Sequence, residues 1–284
     1  MLKKIFFAAA LLLASELIAK PVVIASIAPV EYLAKAVGGD KIEVQSLAKG
    51  DVHSYEPKPN DMKAVAKARI FIAAGLEFEE AWIPRFKASA KNLVVVKSDA
   101  KIAKLKEERG EQAEHDEKHE VHADPHVWLN PMLAITMARN ISDALIDMDK
   151  ANKDFYLENF QKLMNDLLAF DESAKNELAG LKNRKFVVYH PAWGYFAAHY
   201  DLEQISIERS GKEPKIDEMA STLKMIKDEN IKVIFADPNR SQKSAQILAS
   251  QTGAKVELLD PLGYNLLENL KIAVGAIKDA NSPK

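Results

Sequence analysis

Short apolar runs alternate with longer amphipathic stretches through the first hundred residues. The runs at 22–24, 42–47, 70–73 and 93–96 are rich in β-branched residues and predict strands. The stretches at 29–37, 60–68 and 79–88 between them predict helices. Strands that alternate with helices in this way are typical of parallel sheets with crossover helices.

A much longer helical pattern occupies the middle of the chain. After a helix predicted at 132–146, apolar residues recur at three- and four-residue steps from Tyr156 to Leu178, so they fall on one stripe. Gly180 is well placed to end this helix. Thirty helical residues would reach about 45 Å, enough to span two lobes.

The strand and helix alternation resumes after Gly180. Strands are predicted at 186–189, 202–207, 233–236 and 256–259, and helices at 192–200, 216–229, 241–252 and 265–280. The pattern therefore predicts an α/β fold of two similar lobes with mostly parallel sheets, joined by one long interdomain helix. We assign 20–148 to the N-terminal lobe, 149–182 to the linking helix and 183–284 to the C-terminal lobe.

The first nineteen residues have the features of a secretory signal peptide. Lys3 and Lys4 precede an apolar run at 5–14 that is shorter than the roughly 20 residues of a membrane-spanning helix. Cleavage after Ala19 would fit the small residue preferred at that position. We therefore expect 1–19 to be a signal peptide and the mature protein to be periplasmic.

Composition narrows the classes of partner. The 39 basic and 41 acidic residues give a net charge of −2, so a nucleic acid or an anionic membrane is not expected as a partner. There is no cysteine, which excludes disulfides and thiolate ligands. We expect a monomer stabilised by its apolar core.

Three of the seven histidines stand apart from the others in proline- or aromatic-rich segments: His53, His126 and His190. Imidazole is a common ligand for divalent metals, and three separated imidazoles are a recurring zinc site. His190 and Asp260 directly follow predicted strands, and open parallel sheets bind ligands at that edge. The sequence therefore predicts a metal site in the cleft, with two ligands from each lobe.

The motifs HSYEP, DPHVWLNP, YHPAWGYFAAHYDL, SGKEPK and LLDPLG occur in this order. In this order and spacing they resemble the metal-binding proteins of bacterial ABC transporters, specifically the zinc-uptake type called ZnuA. The resemblance runs from about Pro21 to the C-terminus. It implies a high-affinity periplasmic receptor that delivers Zn²⁺ to a membrane permease and carries out no covalent chemistry.

The resemblance also implies a ligand set. Its first three motifs each supply a histidine, here His53, His126 and His190, and its last motif supplies a carboxylate in many members, here Asp260. Manganese-type members are similar but carry a glutamate where this chain has His190. Some zinc-type members place a glutamate directly before the first ligand, where this chain has Val52, which leaves Asp260 or water as the fourth group.

Two other interpretations of the metal site stay open. A manganese or iron receptor of the same family is one, although three imidazoles and one carboxylate suit zinc better than manganese, which prefers more oxygen ligands. A three-histidine zinc hydrolase or lyase is the other, although the chain has no HExxH or GxSxG motif. Asp260 also has an alternative role, because aspartate before proline and glycine commonly forms a turn.

The charged stretch at 100–123 interrupts the regular pattern and contains His115, His119 and His122. A stretch of this kind is usually a solvated loop. We also consider the hypothesis that it captures zinc weakly and passes it to the cleft.

Overall fold

The structure is a computed structural model, and it describes residues 20–106, 123–208 and 216–281. The predicted signal peptide and the three histidines of the charged stretch lie outside the described residues. The domain boundaries given above stay a prediction.

The N-terminal lobe contains a four-stranded parallel sheet in the order β2-β1-β3-β4. Its elements are β1 (Val22–Ala25), α1 (Ala28–Gly38), β2 (Glu43–Ser46), α2 (Pro59–Val65), β3 (Ile70–Ala73), α3 (Glu77–Ser89) and β4 (Val94–Lys97). All four residues of β3 are buried, as expected for a central strand covered on both faces.

Two helices follow the first sheet: α4 (Pro131–Met148) and α5 (Lys153–Leu178). Asn130 starts α4 because its side-chain oxygen accepts hydrogen bonds from the backbone N–H groups of Met132 (2.9 Å) and Leu133 (3.3 Å). The long helix α5 has 26 residues, so it reaches about 39 Å rather than 45 Å. It is shorter than predicted because the three residues before it form a separate 3-10 turn (Lys150–Asn152).

The C-terminal lobe repeats the topology of the first, with a parallel sheet in the order β6-β5-β7-β8. Its elements are β5 (Lys185–Val188), α6 (Gly194–His199), β6 (Glu203–Ser206), α7 (Ile216–Asp228), β7 (Val233–Ala236), α8 (Lys243–Thr252), β8 (Lys255–Leu258) and α9 (Leu266–Asn281). The predicted fold class is confirmed.

Helix α6 begins at Gly194, two residues later than the pattern predicts. The backbone N–H of Trp193 donates to the side-chain oxygen of Gln204 (2.7 Å), and that of Ala192 donates to the carbonyl of His190 (2.9 Å). These bonds hold 190–193 in a turn, so His190 sits on a loop.

One continuous hydrophobic core joins the two lobes. It contains the apolar residues of the first sheet, the stripe of α5, the buried face of α9 and, from the second sheet, Phe186, Val188 and Phe235. A smaller cluster that includes Val187, Ile234 and Leu248 covers the other face of the second sheet. Helix α9 follows the second sheet in sequence but packs on α5 and α1, so it ties the lobes together. Among the described residues, no helix has the length and apolar character needed to span a membrane.

Candidate metal centre

Three histidines from both lobes converge at the carboxyl ends of the two sheets. His53 lies between β2 and α2, His126 precedes the 3-10 turn Val127–Leu129, and His190 lies two residues after β5. The ring centroids are 5.5 Å apart for His53 and His126, 5.0 Å for His53 and His190, and 5.3 Å for His126 and His190. One ring nitrogen from each lies within 4.8 Å of the other two.

An aspartate two residues earlier organises each histidine of the N-terminal lobe. Asp51 Oδ1 accepts a hydrogen bond from the backbone N–H of His53 (3.1 Å). Asp124 Oδ1 accepts one from the backbone N–H of His126 (2.9 Å) and lies 2.8 Å from its ring Nδ1. The Asp124 contact fixes the ring of His126, since a carboxylate beside Nδ1 favours the tautomer with its proton there.

His190 is organised by residues that are distant in sequence. Its Nδ1 lies 3.2 Å from Oε2 of Glu208, which follows β6. Arg240, from the loop between β7 and α8, donates through Nη2 to Glu208 Oε1 (2.9 Å). The carboxylate of Glu208 is buried, and the guanidinium compensates its charge.

The environment keeps two of the imidazoles, those of His53 and His190, neutral. Burial, followed by the charges of His126, His190 and Arg240, lowers the pKa of His53 to about 3 against the opposing effect of Asp51. Burial, then the charges of His126 and Arg240, hold the pKa of His190 well below its usual range. A neutral imidazole is the form that coordinates a metal, so no proton has to be displaced from these two rings at neutral pH.

Each of the three histidines has its Nε2 atom available to bind a metal. Within the described residues, the buried Nε2 of His53 has no hydrogen-bond partner. A carboxylate oxygen lies beside the Nδ1 of His126 and beside that of His190, so a proton held on Nδ1 leaves Nε2 of each available to bind a metal. Tetrahedral zinc with Zn–N bonds of about 2.0–2.1 Å needs nitrogens about 3.3 Å apart, so small side-chain shifts would complete the site.

Asp260 lies outside this group of converging ligand atoms. Its Oδ1 accepts hydrogen bonds from Asn239 Nδ2 (2.8 Å) and from the backbone N–H of Leu262 (2.8 Å). The second bond forms the turn that the sequence allowed as an alternative role. Asp260 as the fourth ligand stays a prediction.

A buried tryptophan packs beside the site. Trp128 is buried, its ring lies 5.2 Å from that of His126, and its Nε1 donates to the carbonyl of Pro261 (2.7 Å). This bond joins the loop of His126 to the C-terminal lobe. His199 is not one of the converging histidines. It lies beside Asp171 of α5, with Nε2 2.6 Å from Oδ1.

Sequence reasoning missed Asp51, Asp124, Glu208 and Arg240. A signal existed for the two aspartates, because the pattern Asp-x-His occurs at both N-terminal ligands. Glu208 and Arg240 lie 18 and 50 residues from His190, so no local pattern connects them to it.

Two lobes of one topology, joined by a long helix around a histidine-lined cleft, define a two-lobed α/β binding protein. A family model described as ZnuA, zinc-uptake complex component A periplasmic, matches residues 23–280. The chain belongs to the ZnuA family.

Individual relatives agree with this assignment. The chain is 30% identical over 279 residues to the high-affinity zinc uptake system protein ZnuA of Bacillus subtilis (strain 168), which covers 91% of this chain and 86% of that protein. A crystal structure of ZnuA matches with a TM-score of 0.87 and 35% identity, covering 93% of this chain and 100% of the other. A zinc-bound ZnuA deletion mutant matches with a TM-score of 0.86 and 34% identity, covering 93% and 99%.

Proposed function

We propose that this chain is a periplasmic zinc receptor that binds one Zn²⁺ between its lobes through His53, His126 and His190. The observation that carries the proposal is the convergence of three imidazoles from both lobes, with one ring nitrogen of each within 4.8 Å of the others. Three nitrogen donors with room for a fourth ligand suit zinc. Asp260 or water would fill the fourth position.

The comparisons support zinc as the cargo. The Bacillus subtilis relative is named for high-affinity zinc uptake, and one of the matching structures contains zinc. We carry both properties to this chain as part of the proposal, together with delivery of the ion to an ABC-transporter permease and action as a monomer.

Two alternatives are tested together with the leading proposal. A manganese or iron receptor would prefer more oxygen ligands than this group of imidazoles offers. A zinc hydrolase would need a pocket for an organic substrate, and typical small-molecule sites measure about 300–1,000 Å³. The cavity beside His190 has room for only about one water molecule, which favours a receptor.

The decisive experiment is calorimetric titration of the metal-stripped chain, from residue 20 onward, with zinc and then with manganese. We expect one tightly bound zinc per chain and weaker binding of manganese. For alanine variants of the three ligands, His199→Ala is the matched control, since it removes an imidazole that lies against Asp171 and not beside the other three. A chain that binds no zinc, or that prefers manganese, would contradict the proposal.

The fourth ligand is tested separately with Asp260→Asn, which keeps an oxygen for Leu262 and removes the charge. A fall in zinc affinity of tenfold or more would support coordination by Asp260. An unchanged affinity would assign the fourth position to water.

A further inference from the structure

One guanidinium touches both lobes beside the metal centre. Arg240 Nη2 donates to Glu208 Oε1 (2.9 Å), and Arg240 Nη1 lies 3.0 Å from His190 Nδ1. The same Nη1 lies 3.8 Å from Oδ1 of Asp51, which belongs to the loop of His53 in the N-terminal lobe. The side chain of Arg240 is 18% exposed and that of Asp51 is 31% exposed, so their contact is partly shielded from water.

Two groups compete for the same nitrogen of His190. Glu208 Oε2 lies 3.2 Å from Nδ1, and Arg240 Nη1 lies 3.0 Å from it. When Nδ1 carries the proton it donates to the carboxylate, and when it does not it accepts from the guanidinium, so it cannot serve both at once.

Metal binding at His190 determines which of these two bonds Nδ1 makes. Coordination through Nε2 of a neutral imidazole requires the proton on Nδ1, where it donates to Glu208. Arg240 Nη1 then faces an N–H group instead of a lone pair and loses its acceptor on His190. Asp51 Oδ1 lies 3.8 Å from that nitrogen and can serve as its carboxylate partner.

Asp51 also accepts hydrogen bonds within the loop that carries His53. Its Oδ1 accepts from the backbone N–H of His53 (3.1 Å), and its Oδ2 accepts from the hydroxyl of Ser54 (3.2 Å). A guanidinium drawn toward Asp51 would therefore hold the loop that carries the first ligand against the C-terminal lobe.

We propose that Arg240 is a positioning residue that couples the binding of zinc at His190 to the attachment of the His53 loop. Metal on Nε2 of His190 redirects the guanidinium from His190 Nδ1 to Asp51, and the resulting ion pair ties the lobes across the cleft. This inference rests on the proposed zinc function of the same site.

The test is a double-mutant cycle on zinc affinity with Asp51→Asn, Arg240→Gln and the double variant. Asparagine keeps an oxygen for the N–H of His53 and removes only the charge. We expect Asp51→Asn to weaken zinc binding three- to tenfold, or about 0.7–1.4 kcal/mol. In the Arg240→Gln background, the same change should alter affinity less than about twofold, because the pair is already lost.

Arg240→Lys serves as the conservative variant. It keeps the positive charge, so it should retain the sensitivity of zinc affinity to Asp51→Asn, which a merely structural role of Arg240 would not require. It also keeps the cycle usable if Arg240→Gln fails to fold, since it preserves a cation beside the buried carboxylate of Glu208. Asp143→Asn removes the exposed partner of Arg139 on α4 and is the matched control, with no effect on zinc expected.

Equal effects of Asp51→Asn in the wild-type and Arg240→Gln backgrounds would overturn the inference, and so would an unchanged affinity in Asp51→Asn alone. Both outcomes leave the zinc proposal standing, provided that the wild-type chain binds zinc. Failure of the wild-type chain to bind zinc would instead contradict the proposed function.

Discussion

The two lobes share one strand order but are supported differently. In the N-terminal lobe, the sheet packs into the continuous core with α1, α4 and α5. In the C-terminal lobe only one face of the sheet contributes to that core, and the other face has its own small cluster under α7 and α8. The same topology therefore places both faces of the N-terminal sheet in the continuous core. In the C-terminal lobe it leaves one face of the sheet in a separate outer cluster.

The difference extends to the metal centre. The N-terminal lobe provides two of the three histidines, and each is organised by an aspartate two residues away. The C-terminal lobe provides His190 alone, organised by Glu208 and Arg240 across the fold. Local hydrogen bonds support one half of the site, and tertiary structure supports the other.

The largest effect should come from removing the histidine of the C-terminal lobe. Zinc bound at structural sites contributes about 10–16 kcal/mol, so each of three or four ligands accounts for about 3–5 kcal/mol. We expect His190→Ala and His126→Ala each to weaken zinc binding by at least about a hundredfold in calorimetry. With His190→Ala, zinc should in addition no longer bridge the lobes.

Thermal unfolding with and without zinc tests this bridging. We expect zinc to raise the unfolding temperature of the wild-type chain and of His199→Ala, because a ligand of the folded state stabilises it. An equally large increase in His190→Ala would show that His190 contributes nothing to binding.

The next largest effect concerns packing. Leu167 of α5 lies in the continuous core and Leu248 of α8 lies in the small outer cluster, and both are fully buried. Replacement of a buried leucine by alanine costs about 2–5 kcal/mol, with the lower costs where the surroundings collapse into the cavity. We expect Leu167→Ala to lower the free energy of unfolding in urea by more than Leu248→Ala does.

Zinc affinity provides the second readout for this pair. Leu248→Ala should leave it unchanged, since α8 covers the face of the sheet turned away from the continuous core. A larger loss of stability in Leu248→Ala than in Leu167→Ala would contradict the expectation that the outer cluster contributes less to stability than the continuous core.

The fold and the site could be predicted from the sequence only where local structure determines them. Features that depend on long-range contacts could not. The strands and the fold class follow from local periodicity, and the positions of His53 and His190 follow from strand ends. His126 follows no predicted strand, and its role as a ligand was predicted from the ordered motifs. The partners of His190 could not be predicted, because Glu208 and Arg240 reach it only when β5, β6 and β7 pair. The hydrogen bonds of Asp260 depend on Asn239, which is also distant in sequence.

A smaller effect is expected from the carboxylates that orient the rings. Loss of such a partner typically costs 10- to 100-fold in metal affinity. We expect Asp124→Ala and Glu208→Gln each to weaken zinc binding by about tenfold or more. Glu208→Gln should also lower stability without zinc, because it leaves the guanidinium of Arg240 with no full ion pair at Glu208.

Glu229→Gln is the matched control for this prediction, as it removes the exposed partner of Lys185 at the far end of β5. If both Glu208→Gln and Asp124→Ala bound zinc like the wild type, the contacts at Nδ1 would have no role in orienting the ligands.

The smallest effect concerns the attachment of the long helix to the C-terminal lobe. Asp171 of α5 contacts His199 of α6 (2.6 Å) and Lys175 (2.7 Å). Burial alone would raise the pKa of Asp171, but the hydrogen bonds to Lys175 and His199 outweigh it and lower the pKa. A carboxyl group whose pKa is lower in the folded than in the unfolded state stabilises the fold above its unfolded pKa, near 3.9. We expect Asp171→Asn to lower the free energy of unfolding by about 1–2 kcal/mol at pH 7.

The sign of this linkage is tested by urea unfolding at several pH values. The difference between wild type and Asp171→Asn should persist from pH 7 to about 5 and shrink as the pH falls through 3.9 and below, because the wild-type carboxylate then takes up its proton. Asp143→Asn, which removes an exposed carboxylate with 56% side-chain exposure, should change stability by less than about 0.5 kcal/mol. A difference that stayed constant or grew on acidification would mean that the charge of Asp171 does not hold α5 to the C-terminal lobe.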